Sequence, residues 1–269
     1  MTLLLVGCGK MGGALLAGWL QQGVSPKDIT IVEPHRDAAT DFVQRFGVNA
    51  VASAEQLPMG YAPDVVVVAV KPQIMNEVLP PYAKLVASNP VFLSIAAGKT
   101  IAGFEAILGK NAAIVRAMPN TPASVGRGIT VGCANANVST AQAAQCKTLL
   151  SAVGLVEWVD DEQLLDAVTA LSGSGPAYVF LLVEAMSHAG RMAGLAPELS
   201  DKLARATVAG SGELLHQSPL SAATLRENVT SPGGTTAAAL GVLMGSHGLK
   251  ELMTEAIAAA TQRSRELAS

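Results

Sequence analysis

TLLLVGCGKMGGALLAGWLQQG, residues 2–23, decides the fold. It begins as a continuous apolar run closed by glycine, the pattern of a strand buried on both faces. It ends with apolar residues at helical spacing and a stop at Gly23. Between the two, Gly7, Cys8, Gly9, Lys10, Met11 and Gly12 spell G-x-G-x-x-G. Glycine triplets are common in turns, but this one closes a buried strand and opens a helix, which is the setting a dinucleotide-binding turn requires. In that reading Gly7 permits the tight turn and Gly9 lets a pyrophosphate approach the main chain. Gly12 allows helix and strand to pack closely.

Outward from this turn, strands and helices alternate. Strands are expected at 28–33, 64–70, 90–98 and 112–118, with helices around 36–46 and 101–108. Such alternation implies a parallel sheet with right-handed crossovers. A run at 128–135, a helix from about 140 to 153 and a run at 154–160 complete an α/β Rossmann-type domain over residues 1–160. Beyond Asp161 strand-like runs stop. Residues 161–190 read as two helical stretches meeting at Ser-Gly-Ser-Gly, with Pro176 in the first turn of the second. Further helices are expected at 197–217, 219–229, 235–248 and 249–267. Residues 161–269 are therefore read as an all-α domain. Its alanine-dense helices lack a strongly polar outer face, so one side is expected to be buried against a second subunit.

Bulk properties narrow the partners. The 269 residues are 50% hydrophobic, 4% aromatic and 14% charged, with net charge -3. That balance offers no basic stripe for nucleic acid and no polybasic anchor for anionic lipid. No apolar run approaches the roughly 18 residues of a membrane span, and the N-terminus lacks a basic leader. Cys8, Cys133 and Cys146 are far apart without metal-ligand spacing. Reduced thiols, a cytoplasmic location and no metal are the expectation.

Several segments are candidates to line the cofactor crevice. Glu33 lies about 20 residues past the fingerprint, where a carboxylate accepts from the ribose 2′-OH of NAD(H). His35 and Arg36 follow at once and suit the 2′-phosphate of NADP(H), so both cofactors stay open. Ala69, Val70, Lys71 and Pro72 close one strand at its carboxyl end, where open α/β sheets bind ligands. Ile95, Ala96 and Ala97 close the next, with side chains small enough for a nicotinamide ring to lie flat. MPNTP (118–122) is a rigid loop that is either a structural turn or part of the crevice wall.

SPGGTTAAAL (231–240) poses a separate question. Gly233, Gly234, Thr235 and Thr236 stand directly before a helix, whose free N–H groups and positive end make a cradle for a small anion. The motifs GCGKMG, AVKP, SIAAG, RAMPNTP, SGSGPAY and ENVTSPGGTT occur in this order over nearly the whole chain. Together they resemble the pyrroline-5-carboxylate reductase family. The resemblance implies a Rossmann domain followed by a helical domain that interleaves with its partner's to form a homodimer, which in some members assembles into decamers. It also implies NAD(P)H-dependent reduction of 1-pyrroline-5-carboxylate to L-proline, with substrate contacts at Glu162, Asn228, Thr235 and Thr236. Thr236 would orient the substrate and relay a proton to the ring nitrogen. Two departures, Glu33-Pro34 and Ala54, put the family's usual NADPH preference in question. The alternatives are an oxidoreductase of the same architecture acting on another imine or a β-hydroxy acid, and a non-catalytic NAD(P) sensor.

Overall fold

A computed structural model describes residues 1–268. Eight strands form one sheet: β1 (Leu3–Val6), β2 (Ile29–Val32), β3 (Asn49–Val51), β4 (Val65–Val68), β5 (Val91–Ser94), β6 (Ala113–Met118), β7 (Gly128–Ala134) and β8 (Gly154–Trp158). Their order is β3-β2-β1-β4-β5-β6-β7-β8. β1 lies between β2 and β4, so the winding direction reverses at the strand that carries the glycine fingerprint. Two expectations need correction. The sheet is not wholly parallel, because β7 runs antiparallel to β6. Only the segment 119–127 joins them, with a 3-10 turn at Thr121–Val125, and a parallel crossover needs a dozen or more residues. The edge strand β3 was not expected at all; it is three partly exposed residues with no apolar run.

β1, β2, β4 and β5 are buried at every position, and alternate residues feed two separate cores. Leu3, Leu5, Ile29, Ile31, Val65, Val67, Val91 and Leu93 face one core. Helices α1 (Lys10–Gln21) and α5 (Thr140–Ser151) cover it through Leu15, Leu16, Trp19, Leu149 and Leu150, and α2 (Arg36–Phe46) adds Phe42 and Phe46. The Trp19 indole N–H donates to the Leu149 carbonyl at 2.9 Å and so ties α1 to α5. On the other face Leu4, Val6, Val66, Val68, Phe92 and Ile114 meet the short helix α3 (Met75–Val78), a 3-10 segment at Pro80–Ser88 and α4 (Ile101–Leu108). Each of these large aliphatic side chains contributes ~1.5–3 kcal/mol on burial. That is why the strand runs are legible without any alternation.

After β8 the chain is helical. α6 (Leu164–Val168) continues through a π-helical turn at Thr169–Gly173 into α7 (Gly175–Met192), with Pro176 in the first turn of α7. α8 (Pro197–Gln217), α9 (Ala222–Asn228), α10 (Thr235–Leu243) and α11 (Leu249–Ala268) follow. By internal packing there are two compact units. One is Met1–Gly173 with the C-terminal residues from Thr261, and the other is Ser174–Ala260. In the first, a Cβ at Gly173 would meet the terminal methyl of Met118, which would have to move aside. A Cβ built at Gly175 would meet nothing within 4 Å. In the second unit the Ser187 hydroxyl donates to Asp201, and Arg191 pairs with the same carboxylate at 2.6 Å, linking α7 to α8. Its large apolar side chains are mostly open: Phe180 is 62%, Leu214 57% and Val242 77% exposed.

Candidate functional site

A cleft of about 620 Å³ opens at the carboxyl ends of β1, β2 and β4, where the winding reverses. Gly7, Cys8, Gly9, Glu33, His35, Ala69, Val70 and Lys71 line it, as the sequence suggests. The three fingerprint glycines serve three different purposes. Gly7 has φ +91°, which side chains rarely tolerate. At Gly12 a Cβ would stand 2.5 Å from the Gly7 carbonyl oxygen, so α1 could not approach the strand. At Gly9 a Cβ would meet nothing within 4 Å, so the space it leaves open is not needed for packing. Gly9 is also the N-cap of α1, and no side chain caps that end. The first N–H groups of α1 are therefore without a side-chain cap, at the positive end of the helix and next to Gly9 in the lining. The residues fit a dinucleotide: main chain cleared of side chains, with donors and positive potential for a pyrophosphate.

Around this turn the side chains are fixed. Glu33 is 8% exposed, and its carboxylate accepts from the Cys8 N–H at 3.3 Å and from the His35 N–H at 3.0 Å. Burial, and then the Glu33 charge, push the Cys8 thiol up to about 12, so it stays protonated and unreactive. Met11 packs against the core beneath α1, and only its main chain is at the helix start. Lys10 and Arg36 are exposed and, like Met11, Gly12 and Pro72, lie outside the lining of the cleft. Ile95, Ala96 and Ala97 directly follow β5. The Ile95 N–H donates to Val68 O at 3.1 Å, which holds this segment beside the end of β4. Ala52, Ser53, Ala54 and Glu55 also form the cleft wall, as do Ile74, Glu77, Val78 and Tyr82. Apart from Ala54 these were not foreseen. Ser53 to Glu55 follow the undetected strand β3, and Tyr82 lies in a 3-10 segment without helical periodicity. Burial raises the Tyr82 phenol above its ordinary value.

The MPNTP loop proves to be anchored. Asn120 donates from its side chain to Ser172 O at 3.2 Å and accepts from the Ile129 N–H at 2.9 Å. Glu162 is equally engaged. Its Oε1 accepts from the Arg116 guanidinium at 2.9 Å and from the Ile101 N–H, the first of α4, at 2.7 Å. The Arg116 side chain is 6% exposed and that of Glu162 26%. Glu162 is thus a clamp between β6 and the start of α4, not a solvated surface carboxylate.

In the second unit, Thr235 and Thr236 open α10, and Gly234 is its N-cap in extended conformation without a side-chain cap. Gly233 has φ +68° and nothing within 4 Å of its would-be Cβ, so the backbone angle, not crowding, calls for glycine. One expectation is corrected: the Gly234 N–H is not free, because it donates to Ser231 O at 3.0 Å. The donors left by the helix start are those of Thr235, Thr236 and Ala237. Asn228 ends α9 and is exposed. Among the described residues no group of three or more His, Cys, Asp or Glu could hold a metal ion.

Comparison with known proteins finds relatives over nearly the whole chain. Residues 162–267 match the family model for pyrroline-5-carboxylate reductase dimerisation, and residues 2–98 match that for NADP oxidoreductase, coenzyme F420-dependent. The chain is similar to the pyrroline-5-carboxylate reductase of Pseudomonas aeruginosa, at 42% identity over 98% of this chain and 95% of that protein. The structure of a pyrroline-5-carboxylate reductase from Coxiella burnetii superposes with a TM-score of 0.93 at 37% identity, covering 100% of this chain and 98% of that one. For the pyrroline carboxylate reductase of Plasmodium falciparum with NADP bound, the TM-score is 0.82 at 32% identity, covering 100% and 98%. By length and composition the helical stretch Leu164–Met192 is apolar enough to cross a membrane, contrary to the expectation of short runs only. It lies inside the segment that matches the dimerisation model.

Proposed function

The chain belongs to the pyrroline-5-carboxylate reductase family, and from that premise we propose how its residues divide the work of reducing 1-pyrroline-5-carboxylate to L-proline with NAD(P)H. The observation that carries the reading is the open side of Gly9 at the uncapped start of α1. Bound NAD(P)H supplies a hydride from nicotinamide C4 to the carbon of the substrate's C=N bond.

The protein's own contribution is binding, orientation and protonation. The first N–H groups of α1 hold the pyrophosphate, while Gly7 and Gly12 fix the turn that presents them. The segments 69–72 and 95–97 flank the nicotinamide. In the second unit the N–H groups of Thr235, Thr236 and Ala237 hold the substrate carboxylate, with Gly233 setting the loop's path and Asn228 adding a side-chain contact. The Thr236 hydroxyl orients the ring nitrogen and passes it a proton from water; an alcohol is too weak an acid to do more. Alignment of the reacting atoms can be worth ~7–11 kcal/mol in ideal cases. Glu162 acts through its clamp on Arg116 and the start of α4, with its remaining exposure directed at ordering a water. We place the enzyme in the cytoplasm as a homodimer, with the decamer as its larger assembly and no nucleic-acid or membrane partner. Three free, buried cysteines and the exposed apolar helices support that placement.

Initial rates of NADH and NADPH oxidation with 1-pyrroline-5-carboxylate, with the product identified as L-proline, test the proposal. Turnover on that substrate supports it. Tight cofactor binding without turnover would favour a sensor, and faster turnover of a β-hydroxy acid would favour a different oxidoreductase.

A further inference from the structure

We infer that Glu33 sets this protein's cofactor preference by holding a fixed carboxylate in the cleft, so that NADH is bound in preference to NADPH. The inference rests on the cleft being the dinucleotide site and goes beyond it to the choice between the two cofactors.

Glu33 directly follows β2, and its own N–H donates to Val51 O at 3.0 Å, so its backbone is held by the sheet. The side chain is held as well. It is 8% exposed and bridges the Cys8 and His35 N–H groups, one on each carboxylate oxygen. A carboxylate pinned in this way cannot swing out to make room. Each oxygen keeps a further lone pair with which to accept a ribose hydroxyl, but neither can donate to a phosphate. Glu33 therefore suits a 2′-OH and opposes a 2′-phosphate, which would add about 1.5 to 2 negative charges.

The rest of the lining adds little to offset that charge. Glu55 and Glu77 face the same cleft, against Lys71 and His35. Lys84 acts on Glu55 by its charge and donates to Ala54 O at 3.2 Å. Arg36 is exposed at the start of α2, outside the lining, and Asp37 follows it in the first turn. The Cys8 N–H bond at 3.3 Å places the Glu33 carboxylate directly against the glycine turn.

The test is equilibrium binding of NADH and NADPH to the full-length protein, by isothermal titration and by the rise in melting temperature at a fixed cofactor concentration. The wild type should bind NADH at least tenfold more tightly, and Glu33→Gln should narrow that ratio severalfold by improving NADPH binding. ADP-ribose and its 2′-phosphorylated form should show the same ratio, locating the effect at the adenosine end. Equal or tighter NADPH binding by the wild type overturns the inference and assigns the 2′-phosphate to His35 and Arg36. An unchanged ratio in a folded Glu33→Gln variant overturns it too. If that variant does not fold, the wild-type ratio and the ADP-ribose pair still decide. Failure of both cofactors to bind would refute the dinucleotide reading itself.

Discussion

Helices α1 and α10 begin in the same way and in different surroundings. Each has an extended glycine as N-cap, Gly9 or Gly234, with no side-chain cap, and each follows a left-handed glycine, Gly7 or Gly233. By contrast α4, α5 and α9 are capped by the side chains of Thr100, Ser139 and Ser221, while α2, α3, α6, α7 and α8 lack a side-chain cap but have no glycine at the N-cap. An uncapped start leaves N–H groups for an anion. At α1 the remaining walls come from the same chain: β2, β4 and the segment 52–55 enclose a cleft. At α10 the loop residues Ser231, Pro232 and Gly233 are exposed, in a unit whose leucines and phenylalanine are also open. In the proposed function the first site is built by one protomer, whereas the second lies on an exposed surface for a partner to complete. This comparison explains why the fingerprint can be checked glycine by glycine, while the Thr236 loop needs the assembled protein.

The largest expected effect separates the roles of two glycines at α1. Gly9→Val should lose cofactor affinity at least a hundredfold with little change in melting temperature, since its side chain enters open space. Gly12→Val should lose both, because it would strike the Gly7 carbonyl. Calorimetry and cofactor titration together read this contrast, and a Gly9→Val protein with normal affinity would break the comparison. Next is the claim that the helical unit is unfinished alone. Phe180→Asp should weaken self-association about a hundredfold in sedimentation velocity, and an unchanged dimer would show that α7 faces solvent. Thr236→Ala should lower turnover about tenfold while cofactor affinity stays at the wild-type level. Parallel loss of both would undo the division between the two helix starts. The smallest effect concerns the clamp. Glu162→Ala leaves Arg116 buried without its partner, at a cost of about 2 kcal/mol once the partial exposure of Glu162 is allowed for. Urea denaturation would measure it, and no shift would mean that the pair contributes little.

Much of this was legible in the chain because certain residues admit few alternatives. A doubly buried strand needs an unbroken apolar run, so β1, β2, β4 and β5 announce themselves. Pro176 and Pro197 mark helix starts by their missing N–H. What escaped depended on tertiary partners. β3 exists because β2 offers it an edge, not because Asn49–Val51 favours extension. The reversal at β7 follows from the length of its connection, a feature that a strand pattern does not display. Glu162 and Asn120 make their bonds with residues distant in sequence, and no local spacing encodes Arg116, Ile101 or Ser172 as partners. The Gly234 N–H is taken by a carbonyl three residues earlier, a detail of loop geometry that composition cannot specify.

The most direct measurement is a crystal structure of the assembled protein with L-proline and oxidised cofactor. The proline carboxylate should accept from the main-chain N–H groups of Thr235 and Thr236, and the pyrophosphate should lie over Gly9. Proline bound away from the start of α10, with those donors left to water, would contradict the claim that the glycine-led starts of α1 and α10 hold the reaction's anions.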